Sequence, residues 1–402
     1  MEFIEISLII LSLTLGYLIG SINPGYFFGK LKGVDLREVG SCNAGTSNTY
    51  RILGLKYAAP TALFDFFKGL FVVYFAFNIF SIDLFFAHLS GLMTIIGHIF
   101  PFYMHFRGGQ GVATSVGLMF FYLLSYLIID PLLILFLFYD LALVAIFTFV
   151  TKRGTILSFI VLPPLGYFIH VNYSYNVYNF FFWIIIAHIM IIGMINVISR
   201  KTIQIRDTNF TEHKWRVLTR PFSILFVVFY VVYSQGIALL IIGIVSIAFI
   251  MLDMIRFLHK QTNVLLHEKV KNLFRKNEYQ AFSSMTIFLT AFFITILVFP
   301  KEIAIAASTF LIFGDTFGKI FGLAFGRHKI LNKTVEGTLA YFGCILICSY
   351  VLYTLLDISP YILIFGGLSA PLIELFSMGM NDNITVPIFS GAIMYVVFLA
   401  GL

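Results

Sequence analysis

Apolar residues run along this chain in unbroken blocks, with no alternation or heptad spacing, and polar residues are confined to the gaps between blocks. Blocks of bilayer length lie near 3–22, 58–80, 84–104, 112–130, 132–150, 154–171 and 178–199. Seven more lie near 221–234, 237–254, 282–299, 303–319, 338–356, 361–377 and 385–402. A helix needs roughly 20 apolar residues to cross a bilayer, so the pattern predicts an all-α polytopic membrane protein with about 14 transmembrane helices in two seven-helix modules. The polar stretch 200–220 is the long break, which sets the expected domains at 1–199 and 221–402 with a basic cytoplasmic linker between them.

Threading the blocks alternately, with the N-terminus outside, puts 24 of the 26 Lys and Arg residues in inside loops; Lys68 and Lys301 are the exceptions. This is the bias that membrane topology imposes, and it directs the search for chemistry to the cytoplasmic face. Composition then excludes a soluble enzyme: 60% of residues are hydrophobic and 11% charged, against roughly 25% charged in soluble domains. The net charge of +7 reads as cytoplasmic loops and not as a nucleic-acid surface. Three cysteines provide no disulfide framework, and Cys344 and Cys348 share one apolar helix face. The acidic N-terminus lacks the pattern of a cleaved signal and reads as a retained first helix. No internal repeat relates the halves, which disfavours an inverted-repeat transporter.

Two loops of the first half concentrate residues that bind anions. The first, GSINPGYFFGKLKGVDLREVGSCNAGTSNTYRILG, mixes Gly, Ser, Thr and Asn with Lys and Arg. Small polar residues leave backbone amides free to form anion nests, and a guanidinium such as Arg51 grips phosphate through a bidentate fork. In the second, GHIFPFYMHFRGGQGVATSVG, His98 ends one helix and Arg107 follows. Gly108, Gly109 and Gly111 then let the backbone approach a ligand at the next helix N-terminus. Neither loop holds a Walker A or dinucleotide fingerprint. Asp65 and Lys68, three apart on one helix, fit a structural ion pair as well as a catalytic one.

Over residues 1–199 the chain resembles the acyl-phosphate:glycerol-3-phosphate acyltransferases, seven-helix bacterial membrane enzymes. The first signature is carried by Gly20, Ser21, Gly40-Ser41-Cys42-Asn43, Gly45, Ser47, Asn48 and Arg51. Gly97-His98, Pro101 and GGQGVAT carry the second, and Asp65 and Lys68-Gly69 also match. The resemblance implies acyl transfer from acyl phosphate to glycerol 3-phosphate, giving lysophosphatidate at the cytoplasmic face of the cell (inner) membrane. No cofactor or covalent nucleophile is implied, because an acyl phosphate needs positioning and charge neutralisation. It assigns Ser41, Asn43, Asn48 and Arg51 to substrate phosphate and makes His98 the catalytic candidate near the acceptor hydroxyl. Arg107, Gly108, Gly109, Gln110, Gly111 and Ser158 complete the implied substrate-binding set. The chain departs from the family at Gln110, where the family has Lys, and at Thr155, where it has Ser. Gly193 and Ile205 stand where the third signature, aligned on Asn196, has His and Glu.

The second half carries Asp315 at a helix end, followed by a glycine-spaced basic stretch, GDTFGKIFGLAFGRHKILNKTVEGTLA. A membrane-embedded acid is costly unless it meets a cation, and such a loop suits phosphates. Farther on, Glu374, Asp382 and Asn383 form a second group of hard oxygen ligands. Residues 221–402 resemble the CTP-dependent lipid kinases of the dolichol, phytol and diacylglycerol kinase group, through GDTFGKIFG, KTVEGTLA, the stretch from IEL to DNITVP, and Arg256, Asn263 and Glu278. The resemblance implies transfer of phosphate from CTP or another nucleoside triphosphate to a lipid alcohol, with Mg²⁺. Asp315 would serve as catalytic and metal residue, Asp382 as metal ligand, and Lys319, Lys333, Thr334, Glu336 and Gly337 as nucleotide-binding residues.

Two other readings stay open on the residues. The first half acts as a scaffold while only the kinase half works, or the chain is a transporter, which would need ionisable residues lining a path across the bilayer. Asp140 belongs to no motif and reads as structural.

Overall fold

The computed structural model describes residues 2–131, 133–173, 176–199, 220–259, 281–376 and 381–401, with Ile203, Gln261 and Asn263. Glu278, Ile205 and most of the 200–220 linker lie outside the described residues.

The described residues are helical almost throughout. The first helices are α1 (Glu2–Ser21), α2 (Pro24–Leu31), α3 (Thr46–Leu53), α4 (Leu55–Asn78) and α5 (Leu84–Ile99). They are followed by α6 (Val112–Ile129), α7 (Leu133–Thr151), α8 (Gly154–Asn172) and α9 (Val177–Ser199). Beyond residue 220 come α10 (Ile224–Val232), α11 (Gln235–Leu258), α12 (Ser284–Val298), α13 (Lys301–Thr309) and α14 (Asp315–Phe325). The last are α15 (Val335–Leu356), α16 (Pro360–Leu375) and α17 (Asp382–Leu399). A π-helical turn, Phe310–Gly314, joins α13 to α14. Among the described residues the strands are β1 (Lys329–Ile330) and β2 (Lys333–Thr334), an antiparallel hairpin pairing Lys329 with Thr334.

Among the described residues eleven helices are long and apolar enough to cross a membrane, and the chain is an integral multi-pass membrane protein. Eleven of the fourteen expected segments thus reach spanning length as helices. The apolar helices Arg220–Val232, Ser284–Val298 and Pro360–Leu375 coincide with three predicted segments but are shorter than the others. The first polar loop is also not all loop. Asn23 caps α2 by accepting from the Tyr26 amide, and Pro24 pre-sets its first turn.

Residues cluster into two compact units, one of 1–142 with 155–202 and the other of 143–154 with 203–402. In the first unit, α1 and α5 approach through glycine. A Cβ on Gly16 would lie 2.4 Å from the Ser90 carbonyl oxygen, and one on Gly97 would lie 2.2 Å from that of Tyr17. Close backbone contact of this kind replaces the hydrophobic driving force that lipid removes. Helix α4 is polar inside and apolar outside: Asp65, Lys68 and Gly69 are buried, while Leu63, Phe67, Phe71 and Tyr74 are exposed. The second unit packs around Phe292, Phe310, Tyr341 and Met394.

Candidate functional site

The first loop folds around Asn48. Its side chain accepts from the Ser41 amide at 2.9 Å and donates to the carbonyls of Leu36 and Val39, both at 2.9 Å. Gly40, at φ +66°, leaves room for this: a Cβ there would sit 2.3 Å from Asn48 Oδ1. Asn48 is therefore a buried brace that shapes the loop carrying Ser41 and Asn43, both half-buried. Asn43 Oδ1 accepts from the Gly45 amide at 3.3 Å, just before α3 begins. Arg51, in the last turn of α3, is exposed. It lines a groove of about 560 Å³ together with Thr46, Ser47, Tyr50 and the small residues Ala58, Ala59 and Ala62 of α4.

A strut between the two loops escaped the sequence reading. Arg37 donates from Nε and Nη2 to the two oxygens of Asp35, at 3.0 and 2.7 Å, and from Nη1 to the Met104 carbonyl at 2.9 Å. The Arg37 guanidinium holds the Asp35 carboxyl well below the usual carboxylate range. The D-x-R spacing was the available signal, since a bidentate fork reaches a carboxylate two residues away.

Beneath the second loop, Asp65 and Lys68 of α4 meet His98 of α5, all three buried. Lys68 Nζ lies 2.9 Å from Asp65 Oδ1 and 2.8 Å from His98 Nδ1, and His98 Nδ1 lies 3.3 Å from Asp65 Oδ1. Lys68 also donates to the carbonyls of Gly20 and Ile22, at 2.9 and 3.2 Å. The other ring nitrogen faces the glycine loop, where a Cβ on Gly109 would lie 2.0 Å from His98 Nε2. The amides of Gly108 and Gly109 bond back to the carbonyls of Ile99 and His98, each at 3.0 Å, which folds the loop onto the end of α5. Gly111, at φ +73°, turns the chain into α6, and Arg107 is exposed at the head of the loop.

Gln110 pairs with Asn196 of α9, Nε2 to Oδ1 at 3.0 Å and Nδ2 to Oε1 at 3.1 Å. Ser158 of α8 is half-buried and donates to the Thr155 carbonyl at 3.2 Å. A Cβ on Gly193 would lie 2.4 Å from Ser158 Oγ, so the small residue at 193 fits this helix contact.

In the second unit, Asp315, Glu374 and Asp382 each present an oxygen within 4.8 Å of the others. Cations surround them. Lys319 donates to Asp315 at 2.7 Å, Arg220 also pairs with Asp315, and Lys333 pairs with Glu374 and, at 3.1 Å, with Asp382. Burial opposes the charge on Lys333, but the Glu374 and Asp382 carboxylates outweigh it and hold its ammonium above the ordinary lysine range. Arg220 also donates to Asn383 at 2.5 Å, a contact across 163 residues that no local pattern signals. Thr334 caps α15 by accepting from the Gly337 amide at 3.1 Å. Glu336 is fully buried and accepts from the amides of Arg327 and His328, at 3.0 and 3.2 Å. These three expected nucleotide ligands are thus engaged with the chain itself.

A multi-pass helical membrane protein with two glycine-rich, cation-bearing loops at helix ends defines the class to which residues 10–204 match: the glycerol-3-phosphate acyltransferase family. The chain belongs to that family. It is 36% identical over 207 residues to the glycerol-3-phosphate acyltransferase of Fusobacterium nucleatum, covering 51% of this chain and 96% of that protein. With the Aquifex aeolicus enzyme it shares 45% identity over 104 residues, 26% of this chain and about half (54%) of that protein's length. A crystal structure of an integral membrane glycerol 3-phosphate acyltransferase, in its glycerol 3-phosphate form, is 32% identical. The match covers 48% of this chain and 91% of that one, with a TM-score of 0.39.

Proposed function

We propose that residues 1–199 transfer the acyl group of acyl phosphate to glycerol 3-phosphate on the cytoplasmic side of the cell membrane, forming lysophosphatidate. The observation that carries this is the placement of His98, locked from behind by Lys68 and Asp65 and facing the glycine loop, inside the family-matched region. In the reaction the glycerol hydroxyl oxygen bonds to the acyl carbon, the bond from that carbon to the phosphate oxygen breaks, and the hydroxyl proton leaves with phosphate. Both reactants are anionic, so the site has to neutralise and orient them. Arg51 and Arg107 supply exposed positive charge, and the N-termini of α3 and α6 supply backbone donors. The groove beside Arg51 sets small apolar residues next to a guanidinium, the combination an acyl phosphate requires. Membranes containing the chain should convert labelled glycerol 3-phosphate and acyl phosphate to lysophosphatidate. Folded protein without that product would refute the reading.

For residues 221–402 we propose phosphorylation of a lipid alcohol by a nucleoside triphosphate, with fourteen membrane crossings in the whole chain once the three shorter apolar helices are counted. Support comes from the carboxylate group and its resemblance to lipid kinases. Asp315, Glu374 and Asp382 offer the all-oxygen set that Mg²⁺ prefers, and the Oδ1 atoms of Asp315 and Asp382 are buried without a hydrogen-bond partner. Mg²⁺ bound there would neutralise a triphosphate. Lys319, and Lys333 on the hairpin, add positive charge around the same carboxylates. Gamma-labelled CTP and ATP, supplied with mixed lipid alcohols, test this: labelled lipid supports it, and none with either nucleotide refutes it.

A further inference from the structure

We infer that Lys68 fixes the proton of His98 on Nε2, so that His98 meets substrate as a hydrogen-bond donor and not as a base. The inference deepens the acyl-transfer reading and rests on it for the word substrate; the tautomer itself does not.

Proton counting around Lys68 fixes the tautomer. An ammonium group has three hydrogens and no lone pair. Around Lys68 Nζ stand four groups at hydrogen-bond distance: His98 Nδ1 at 2.8 Å, Asp65 Oδ1 and the Gly20 carbonyl at 2.9 Å, and the Ile22 carbonyl at 3.2 Å. The carboxylate and the two carbonyls only accept. His98 Nδ1 stands closest, and two N–H groups cannot point at each other across 2.8 Å, so it accepts one ammonium hydrogen, and the other two are shared among Asp65 and the two carbonyls, with the 3.2 Å Ile22 contact the weakest. The alternative, an Nδ1 proton directed at Asp65 Oδ1, would use the longer 3.3 Å contact and set that proton against Lys68. A neutral imidazole that accepts at Nδ1 carries its hydrogen on Nε2.

That edge of the ring faces Gly109, where the loop comes closer to the ring than a side chain would permit. The Nε2 hydrogen is therefore presented along the Gly108–Gly111 loop, beside the N-terminus of α6. An N–H there, backed by a buried ammonium, is suited to an anionic oxygen: a phosphate oxygen of either substrate, or the oxyanion that forms as the acyl carbon is attacked. It is unsuited to removing a proton. Lys68 touches no reacting atom in this scheme and is a positioning residue acting through His98.

Two measurements test it. In full-length protein labelled with ¹⁵N-histidine and held in lipid nanodiscs at neutral pH, His98 should show a protonated Nε2 and a bare Nδ1; H98Q identifies its signals. A protonated Nδ1 overturns the proposal whatever the activity. In Lys68→Met, which has no hydrogen-bond donor, the proton should shift toward Nδ1 and Asp65, and an unchanged tautomer would remove Lys68 from the account. The second measurement is acyl transfer. Glutamine keeps a donor near the Nε2 position and asparagine places it near Nδ1, so H98Q should stay within about tenfold of the unaltered chain while H98N falls by about 100-fold or more. Equal losses in both variants would overturn the donor role. If the unaltered chain transfers no acyl group, the acyl-transfer reading fails while the tautomer result still stands or falls by NMR.

Discussion

The side-chain amides of Gln110 and Asn196 close on each other through two hydrogen bonds, one in each direction. The residues are 86 positions apart, and the pair fastens the second loop to α9 without any net charge. A lysine at 110 could keep only the bond to Asn196 Oδ1, leaving Asn196 Nδ2 without its acceptor. The departure at 110 is thus matched by a partner in the same unit.

If the pair acts as a unit, its members should not be additive. Gln110→Ala strands the buried Asn196 amide and Asn196→Ala the half-buried Gln110 amide, each at a cost of about 1–3 kcal/mol. Removing both should cost less than the sum, with a coupling of about 0.5–3 kcal/mol in thermal unfolding in detergent. Strict additivity would show that the two amides do not support each other.

Gly109→Ala should lower acyl transfer on the order of 100-fold with a smaller loss of stability, about 1–3 kcal/mol. The added methyl would lie 2.0 Å from His98 Nε2, and the ring cannot yield because Lys68 and Asp65 hold its other side. Initial rates beside melting curves separate the two effects. Wild-type rates in this variant would place the chemistry away from the His98 ring.

The strut between the loops makes a pH prediction. Because Arg37 lowers the Asp35 pKa on folding, the contribution to stability is fully present above the unfolded value of about 3.9 and is lost as pH falls through the folded one. Asp35→Asn should therefore be less stable than the unaltered chain at pH 6. The gap should narrow as pH drops below about 4. Melting temperatures of both proteins across that range check it, and a gap that widens in acid would contradict the assignment.

Local pattern made much of this chain legible, because a helix that must face lipid announces itself by length and apolarity, and an anion loop by its Gly, Ser and Asn. The Asn23-Pro24 pair even held the start of α2, although the stretch reads as loop when only hydropathy is followed. What pattern does not carry is which side chains meet across the fold. Arg37 with Met104, Gln110 with Asn196 and Arg220 with Asp315 join residues 67 to 95 positions apart, with no periodicity to link them. The role of Asn48 was obscured for the opposite reason. A polar residue in an anion loop invites a ligand, yet the loop's own backbone groups use it first.

The carboxylate group of the second unit should bind Mg²⁺ or Mn²⁺ in competition with Lys333. Calorimetry on the full chain should show binding that Asp315→Asn or Asp382→Asn weakens at least about tenfold. Lys333→Met should strengthen it by removing the ammonium that pairs with Glu374 and Asp382. Metal affinity unchanged by all three substitutions would separate these residues from any metal.

The most direct test of the acyltransferase account is the initial rate at which the purified full chain, in nanodiscs, forms lysophosphatidate from acyl phosphate and glycerol 3-phosphate. The account predicts one phosphate released per lysophosphatidate formed, and a rate that Arg51→Ala cuts by about 10- to 1000-fold. Folded protein that releases no phosphate in the presence of both substrates, or an Arg51→Ala variant as fast as the unaltered chain, would contradict it.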